Sequence, residues 1–325
     1  VTPEANDRHV VVVGHGYDDY QTEAAILRPH GVGAIAQVAP DAHDLAHHLA
    51  RAVAILVRET PIRAEHIAAA PHLKVIVRYG IGVDNIDLAA ARERRVFVAN
   101  VPEYGIEDVS DHALALYLAV QRRIVTRDRA VRAGAWNVGQ AEPMQRSANV
   151  RFGLVGYGRI ARALHRKLSA LGARHVLIHD PALQHAPEGA SLVGLHELAH
   201  ASDVVSLHAP LTPATRSLID ADFLARLRPG AILINTARGG LVDEPALIEA
   251  LRQGRLRAGL DVYASEPPSP DHPLFGLDNV VLSDHTGWYS EASVEELQRG
   301  AAEEIARVLS GVPPVSWLNP WEAPS

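Results

Sequence analysis

Cysteine is absent from all 325 positions. That excludes disulfides, a thiol nucleophile and cysteine-ligated zinc, and it carries no information about compartment. An excess of positive charge is also missing: 31 Lys and Arg stand against 38 Asp and Glu, a formal net charge of −7. With no basic stripe in the sequence, the electrostatic footprint of a nucleic-acid partner is lacking. No apolar run approaches the length needed to cross a bilayer. The first residues, VTPEANDRHV, lack the basic-then-apolar order of a signal peptide. The chain is therefore expected in the cytoplasm, without a membrane or nucleic-acid partner. Neither a solenoid-length repeat nor a low-complexity tract occurs.

What is present is a globular composition, 47% hydrophobic and 21% charged, over a length that predicts two domains rather than one core. Short β-rich runs alternate with helical patterns, which predicts parallel sheets flanked by helices. The clearest runs are residues 9–14, 52–58, 73–80, 151–158, 175–180, 203–210, 230–237 and 278–285. Helical spacing marks 111–123 and 245–254; in the second, Leu247, Ile248 and Leu251 share a face and Gly254 stands at the stop. The stretch 101–120 opens with turn chemistry and becomes a long apolar helix, so it reads as a crossing between domains. A second crossing is expected at a helix beginning near Ser290. The first domain would then comprise 1–104 and 290–325, and the second 105–289.

The strongest local motif is FGLVGYGRIARALHRKL, a strand that runs through Gly156-Tyr157-Gly158-Arg159-Ile160-Ala161 into a helix. Gly156 suits the tight turn, Gly158 the close approach of a pyrophosphate to the helix N-terminus, and Ala161 the helix-on-strand contact. A plain βαβ turn is the alternative, but the following strand ends in Asp180. A carboxylate there accepts bonds from the adenosine ribose hydroxyls and repels a 2′-phosphate, which favours NAD over NADP. By contrast His196-Glu197-Leu198-Ala199-His200 matches the H-E-x-x-H pattern of zinc proteases only formally. Leu195, Leu198 and Ala199 supply an apolar face for a sheet and no third ligand pattern follows, so no metal is expected. His43, His47 and His48 are read in the same way.

Three strand ends in the second half each present chemistry. ILINTARGGLVDE carries Arg238, AGLDVYASEPPSP carries Asp261 and Glu266, and NVVLSDHTGWYS carries His285. Singly these are a loop cation, a solvated turn carboxylate and one histidine among 18. Together they supply a fixed cation, an acid/base and a carboxylate to orient it, the set that reduction of a carbonyl by NADH requires.

With these residues in place, the sequence resembles the D-isomer-specific 2-hydroxyacid dehydrogenases over nearly its whole length. The stretches that carry the resemblance are IVRYGIGVDNID, VPEYGIEDVSDHALAL, GLVGYGRIARAL, SDVVSLHAPLTPATRSLI, LINTARGGLVDEPAL, LDVYASEPP and DHTGWYSEAS. Within the family it is most similar to the branch of C-terminal-binding-protein-like corepressors and glyoxylate/hydroxypyruvate reductases.

The resemblance implies two Rossmann-like or flavodoxin-like doubly wound α/β domains, a discontinuous substrate domain and an NAD-binding domain, with the active site in the cleft between them. It also implies a homodimer formed through the NAD-binding domain. The expected reaction interconverts a 2-oxo acid and a D-2-hydroxy acid. His285 would be the proton donor and acceptor, Glu266 its orienting partner, and Arg238 the cation on the substrate. Arg78 and the amides of Ile81 and Gly82 would bind the substrate, with Trp288 as one wall of its pocket or, equally, a packed core aromatic. Around the cofactor the resemblance places Gly156, Gly158, Arg159, Ile160, Asp180, His208, Ala209, Pro210, Thr215, Thr236, Ala237, Asp261 and Gly287, with Asp261 anchoring the nicotinamide carboxamide.

Two alternatives stand beside this reading. Formate dehydrogenases pair the histidine with an amide side chain, which Glu266 disfavours. An NAD(H)-sensing, corepressor-like interaction protein with weak dehydrogenase activity could retain Arg238, Glu266 and His285. One departure from the family is Asp284, where proline usually precedes the histidine; it is expected to cap a helix beginning after Gly287. A second is Asn149 and Arg151 in place of the usual Gly-x-Thr before the first strand of the cofactor domain.

Overall fold

The computed structural model describes residues 8–136 and 144–321. The chain divides into two compact units, Val1–Gly105 with Ser290–Ser325, and Ile106–Tyr289. Among the described residues no helix is long and apolar enough to cross a membrane.

In the first unit, valine-rich runs form strands β1 (Arg8–Val13), β2 (Val32–Val38), β3 (Ala52–Val57), β4 (Val75–Arg78) and β5 (Phe97–Asn100). They pair in the order β2-β1-β3-β4-β5, every pair parallel. A sheet covered on both faces needs apolar residues at successive positions, and β3 is buried at all six. Val11, Val13, Ile55, Val57, Ile76 and Val98 join one core with the helices Leu45–Arg51, Ala64–Ala68 and Leu88–Glu93. Helices Gln21–Leu27 and Glu291–Leu309 pack together, the first against β2 and the second against β4 and β5. The second of these starts with a capping box, in which Ser290 Oγ accepts from the Ser293 amide at 3.0 Å and Ser293 Oγ from the Ser290 amide at 2.8 Å. The cap expected from Asp284 is thereby corrected. This helix begins at Glu291, and the Asp284 carboxylate instead accepts from Thr286 Oγ1 at 2.9 Å.

The second unit holds β6 (Arg151–Val155), β7 (His175–His179), β8 (Ala190–Leu192), β9 (Val204–Leu207), β10 (Ala231–Asn235), β11 (Leu256–Leu260) and β12 (Val280–Leu282). Their order is β12-β11-β10-β9-β6-β7-β8, again parallel throughout. The strand alternation feeds two cores, one on each face. Val155, Leu233 and Leu260 pack with helices Leu195–Ala201, Ala221–Arg226 and Glu244–Arg252, while Leu154, Ile232 and Ile234 pack with Ile106–Gln121 and Arg159–Ala170.

The strand order reverses between β6 and β9. That switch point is where an open parallel sheet leaves a crevice beyond its carboxyl edge. The sheets match the doubly wound α/β expectation, and the runs predicted as strands coincide with β1, β3, β4, β6, β7, β9, β10 and β12.

Candidate active site and cofactor cradle

At the switch point, β6 is followed by Gly156, whose φ of +84° is a conformation that glycine adopts without penalty. A Cβ there would lie 2.8 Å from both the Ala209 nitrogen and the His208 carbonyl carbon, so only a hydrogen lets the two strand ends approach. At Gly158 an added Cβ would meet nothing within 4 Å, and Gly158 makes no side-chain cap on the helix Arg159–Ala170. The N-terminus of that twelve-residue helix, without a side-chain cap, suits an anion such as a pyrophosphate at Arg159 and Ile160. Asp180, at the end of β7, accepts the Tyr157 amide on Oδ2 and the Ala182 amide on Oδ1, each at 2.8 Å. One lone pair on each oxygen remains, enough for two ribose hydroxyls.

Across the crevice, Ser206 Oγ and His208 Nε2 lie 2.9 Å apart, and burial pushes the His208 imidazole down to about 4. That ring is neutral at pH 7 and adds no charge beside a phosphate. Thr215 folds the loop on itself, its hydroxyl donating to the Pro210 carbonyl at 2.6 Å. Beyond β10, Asn235 brackets the next turn: its Oδ1 accepts from the Ala237 amide at 3.0 Å and its Nδ2 donates to the Arg238 carbonyl at 2.9 Å. Between them, Thr236 Oγ1 is buried with no hydrogen-bond partner among the described residues, a donor left for something that enters this end of the sheet. These groups fit a dinucleotide.

Beyond β11 and β12 lie the candidate acid/base residues. His285 Nδ1 lies 2.6 Å from Glu266 Oε2, and the two side chains are 27% and 32% exposed. Glu266 Oε1 accepts the Tyr263 amide at 2.9 Å. Burial disfavours charge on Glu266, but the His285 bond, the Tyr263 amide and the charge of Arg238 outweigh it and hold the carboxyl below its usual range. The sequence places these three on separate strand ends; the fold brings His285 and Glu266 into contact, with Arg238 close enough to act on the carboxylate. The Arg238 guanidinium also donates to the Ala237 carbonyl at 2.8 Å.

His285 itself has φ +58°, the left-handed region that a non-glycine residue occupies at a cost of about 1–3 kcal/mol. Its neighbours maintain it. The Asp261 carbonyl accepts from the His285 amide at 2.8 Å, Asp261 Oδ1 from the Thr286 amide at 3.1 Å, and Oδ2 from the Gly287 amide at 2.9 Å. Asp261 is 2% exposed and also accepts Ser283 Oγ at 2.7 Å, while His112 Nε2 lies 3.3 Å from Oδ1. Burial works to raise this carboxyl, but His112, Ser283 and the Gly287 amide outweigh it and bring it down to about 2. His112 and Ser283 join the site only in the folded structure. The available signal was helical spacing: His112 falls on the same face as the buried Val109, Ala113 and Leu116.

Trp288 is half-buried, its ring edge-to-face with Tyr289 at 5.8 Å. In the first unit, Arg78 is 8% exposed and its Nε donates to the Arg58 carbonyl at 3.2 Å. The following loop is fixed by Asn100 Nδ2, which donates to the Ile81 carbonyl at 2.5 Å, with Gly82 partly exposed beside it. The H-E-x-x-H segment forms the helix Leu195–Ala201, with Leu198 and Ala199 fully buried and His196 exposed 3.6 Å from Asp222.

The family model for the D-isomer specific 2-hydroxyacid dehydrogenase NAD binding domain matches residues 114–287. The chain belongs to this family. A D-3-phosphoglycerate dehydrogenase of Mycobacterium leprae is 40% identical over 277 residues, covering 84% of this chain and 52% of that protein. A glyoxylate reductase of Korarchaeum cryptofilum is 39% identical over 266 residues and covers 80% of each chain. A crystal structure of a Thermus thermophilus protein superposes with a TM-score of 0.85 at 37% identity, covering 95% of this chain and 99% of the other. The chain spans about half the length of the phosphoglycerate dehydrogenases it matches. As a 2-hydroxyacid dehydrogenase family member it carries a domain for a nicotinamide cofactor, and its similarity extends to the glyoxylate reductase side of the family.

Proposed function

We propose that the protein is an NAD-dependent D-2-hydroxyacid dehydrogenase that interconverts a 2-oxo acid and its D-2-hydroxy acid. The 2.6 Å bond between His285 Nδ1 and Glu266 Oε2, beside Arg238, is the observation that carries this reading. Because Glu266 is held ionised, it accepts, and the Nδ1 proton stays on the ring. Nε2 is then the atom that exchanges a proton with substrate. During reduction Nε2–H donates to the oxygen that develops charge at C2, and Glu266 stabilises the imidazolium from the opposite side of the ring. In oxidation the same atom accepts the hydroxyl proton. Arg238 binds the substrate carboxylate and polarises the 2-oxo group as a fixed cation that needs no reorganisation. When bound, the nicotinamide supplies or takes up the hydride.

The glycine turn, the Arg159 and Ile160 amides and Asp180 would hold the dinucleotide, and Asp180 favours NAD because a 2′-phosphate would meet its charge. His208, Ala209, Pro210 and Thr215 would line it, with Thr236, Ala237, Asp261 and Gly287 around the nicotinamide. One lone pair on Asp261 Oδ2 is still available for a carboxamide N–H. We assign the Ile81 and Gly82 amides to the substrate carboxylate, Arg78 to a further contact with the substrate, and Trp288 to one wall of its pocket.

The test is NADH oxidation across a panel of 2-oxo acids, with His285→Ala alongside. The variant is expected to lose turnover by about 10²–10⁴-fold while binding NADH as before. Near-normal turnover of His285→Ala with the accepted substrate would overturn the reading.

A further inference from the structure

A histidine outside the proposed acid/base set stands behind it. His112 lies on the helix Ile106–Gln121, beside the buried apolar Val109, Ala113 and Leu116. Its Nε2 lies 2.8 Å from Ser283 Oγ and 3.3 Å from Asp261 Oδ1. Ser283 Oγ is in turn 2.7 Å from Asp261 Oδ1 and donates to it. A hydroxyl has one proton. With that proton committed to the carboxylate, Ser283 Oγ accepts at the contact with His112, and Nε2 carries a hydrogen. The result is a directed chain from His112 Nε2–H through Ser283 Oγ–H to Asp261 Oδ1.

That chain ends on the group that shapes the 285–287 turn. Asp261 receives the amides of His285, Thr286 and Gly287, the first on its carbonyl and the others on its carboxylate. Gly287 is pressed against the same pair: a Cβ there would lie 2.8 Å from Asp261 Oδ2 and 3.0 Å from His112 Cδ2. The left-handed φ of His285 therefore persists only while Asp261 keeps its orientation. An isolated carboxylate that is 2% exposed would be free to take other rotamers or a proton; one that receives Ser283 and His112 is not.

We propose that His112 is a positioning residue for the hydride-transfer reaction. Acting through Ser283, it locks the Asp261 carboxylate that carries the 285–287 turn, and so sets the aim of His285. The inference rests on the reading of His285 as proton donor, and it adds a function for a residue that touches neither substrate nor reacting atoms. Misplacement of an acid/base by about 1 Å costs up to about 100-fold in rate, so the loss should fall on turnover rather than on binding.

The experiment compares wild type with His112→Ala, His112→Gln and Ser283→Ala by steady-state kinetics and by NMR of ¹³C-labelled histidine side chains. The His285 signal is assigned by its disappearance in His285→Gln. His112→Ala and Ser283→Ala are expected to lower kcat by between about 10- and 100-fold, with KM and the NADH Kd within about threefold of wild type. Both should move or broaden the His285 imidazole signal. His112→Gln, whose amide nitrogen reaches the Nε2 position, should restore both readouts. An undiminished kcat and an unmoved His285 signal in His112→Ala would overturn the inference. So would loss without rescue by His112→Gln, which would mark His112 as a packing residue. The NMR arm separates the two proposals: wild type that reduces no 2-oxo acid, with a His285 signal that still shifts in His112→Ala, would strike the dehydrogenase reading and leave the hold of His112 on the turn in place.

Discussion

Two of the imidazole–carboxylate pairs in the second unit, His285–Glu266 and His112–Asp261, use the same chemistry for opposite ends. His285 and Glu266 are both partly exposed, 2.6 Å apart, and Glu266 also accepts the Tyr263 amide and feels the charge of Arg238. His112 and Asp261 are 3.3 Å apart, yet Asp261 is sealed from solvent and its carboxylate also receives Ser283, Thr286 and Gly287. A carboxylate that must respond to a changing charge on its partner keeps access to solvent. One that must not move is buried and held by several donors. Proximity to an imidazole therefore does not separate the two; burial does.

Removing each carboxylate should break the molecule in a different way. Asp261→Ala is expected to have the largest effect, because it strands two amides, a hydroxyl and an imidazole in a buried place. Stability should fall by about 3 kcal/mol or more, read from the midpoint of urea unfolding, and turnover should fall with it. Glu266→Gln should reverse that balance: turnover drops by about 10²-fold because the imidazolium loses its counter-charge, while unfolding stability stays within about 1 kcal/mol of wild type. A Glu266→Gln variant that unfolds as readily as Asp261→Ala would erase the distinction.

The smallest effect is in acid. Asp261 is held at about 2 against an ordinary 3.8. A carboxyl depressed on folding contributes stability that is present above its unfolded value and lost as pH falls through its folded one. About 2 kcal/mol should therefore disappear between about pH 4 and pH 2. In Asp261→Asn that part of the pH dependence of urea unfolding should flatten; an unchanged slope would place the acid sensitivity elsewhere.

Much of the architecture is legible in the amino-acid order alone. Long valine and isoleucine runs announce buried parallel strands, and the glycine turn with Asp180 at the next strand end announces a dinucleotide. Strands β2, β5, β8 and β11 are not among the runs that stand out in the sequence. The middle of β2 is mostly alanine, glycine and glutamine, β5 and β8 are the short FVAN and ASL, and Arg257 and Gly259 interrupt the apolar residues of β11. Arg238, Glu266 and His285 are visible as polar residues on apolar strand ends. The Asp261 hub is not, because its partners come from residue 112 and from residues 283–287, and contact across that separation exists only after folding. Asp284 misleads for a related reason: capping depends on where a helix starts, and that boundary lies at Ser290.

The strand that carries His285 has a further consequence. β12 is three residues long, sits at the margin of its sheet and, among the described residues, pairs only with β11. A margin strand of that length is the part of a sheet most readily peeled away, and local opening there would take the histidine with it long before the whole unit unfolds. The tether at Asp261 runs back to the residue that follows β11, so it fastens the loose margin to the strand beside it. Operational lifetime at elevated temperature would then be governed less by the buried valines of the interior than by one carboxylate acting as a rivet at the edge.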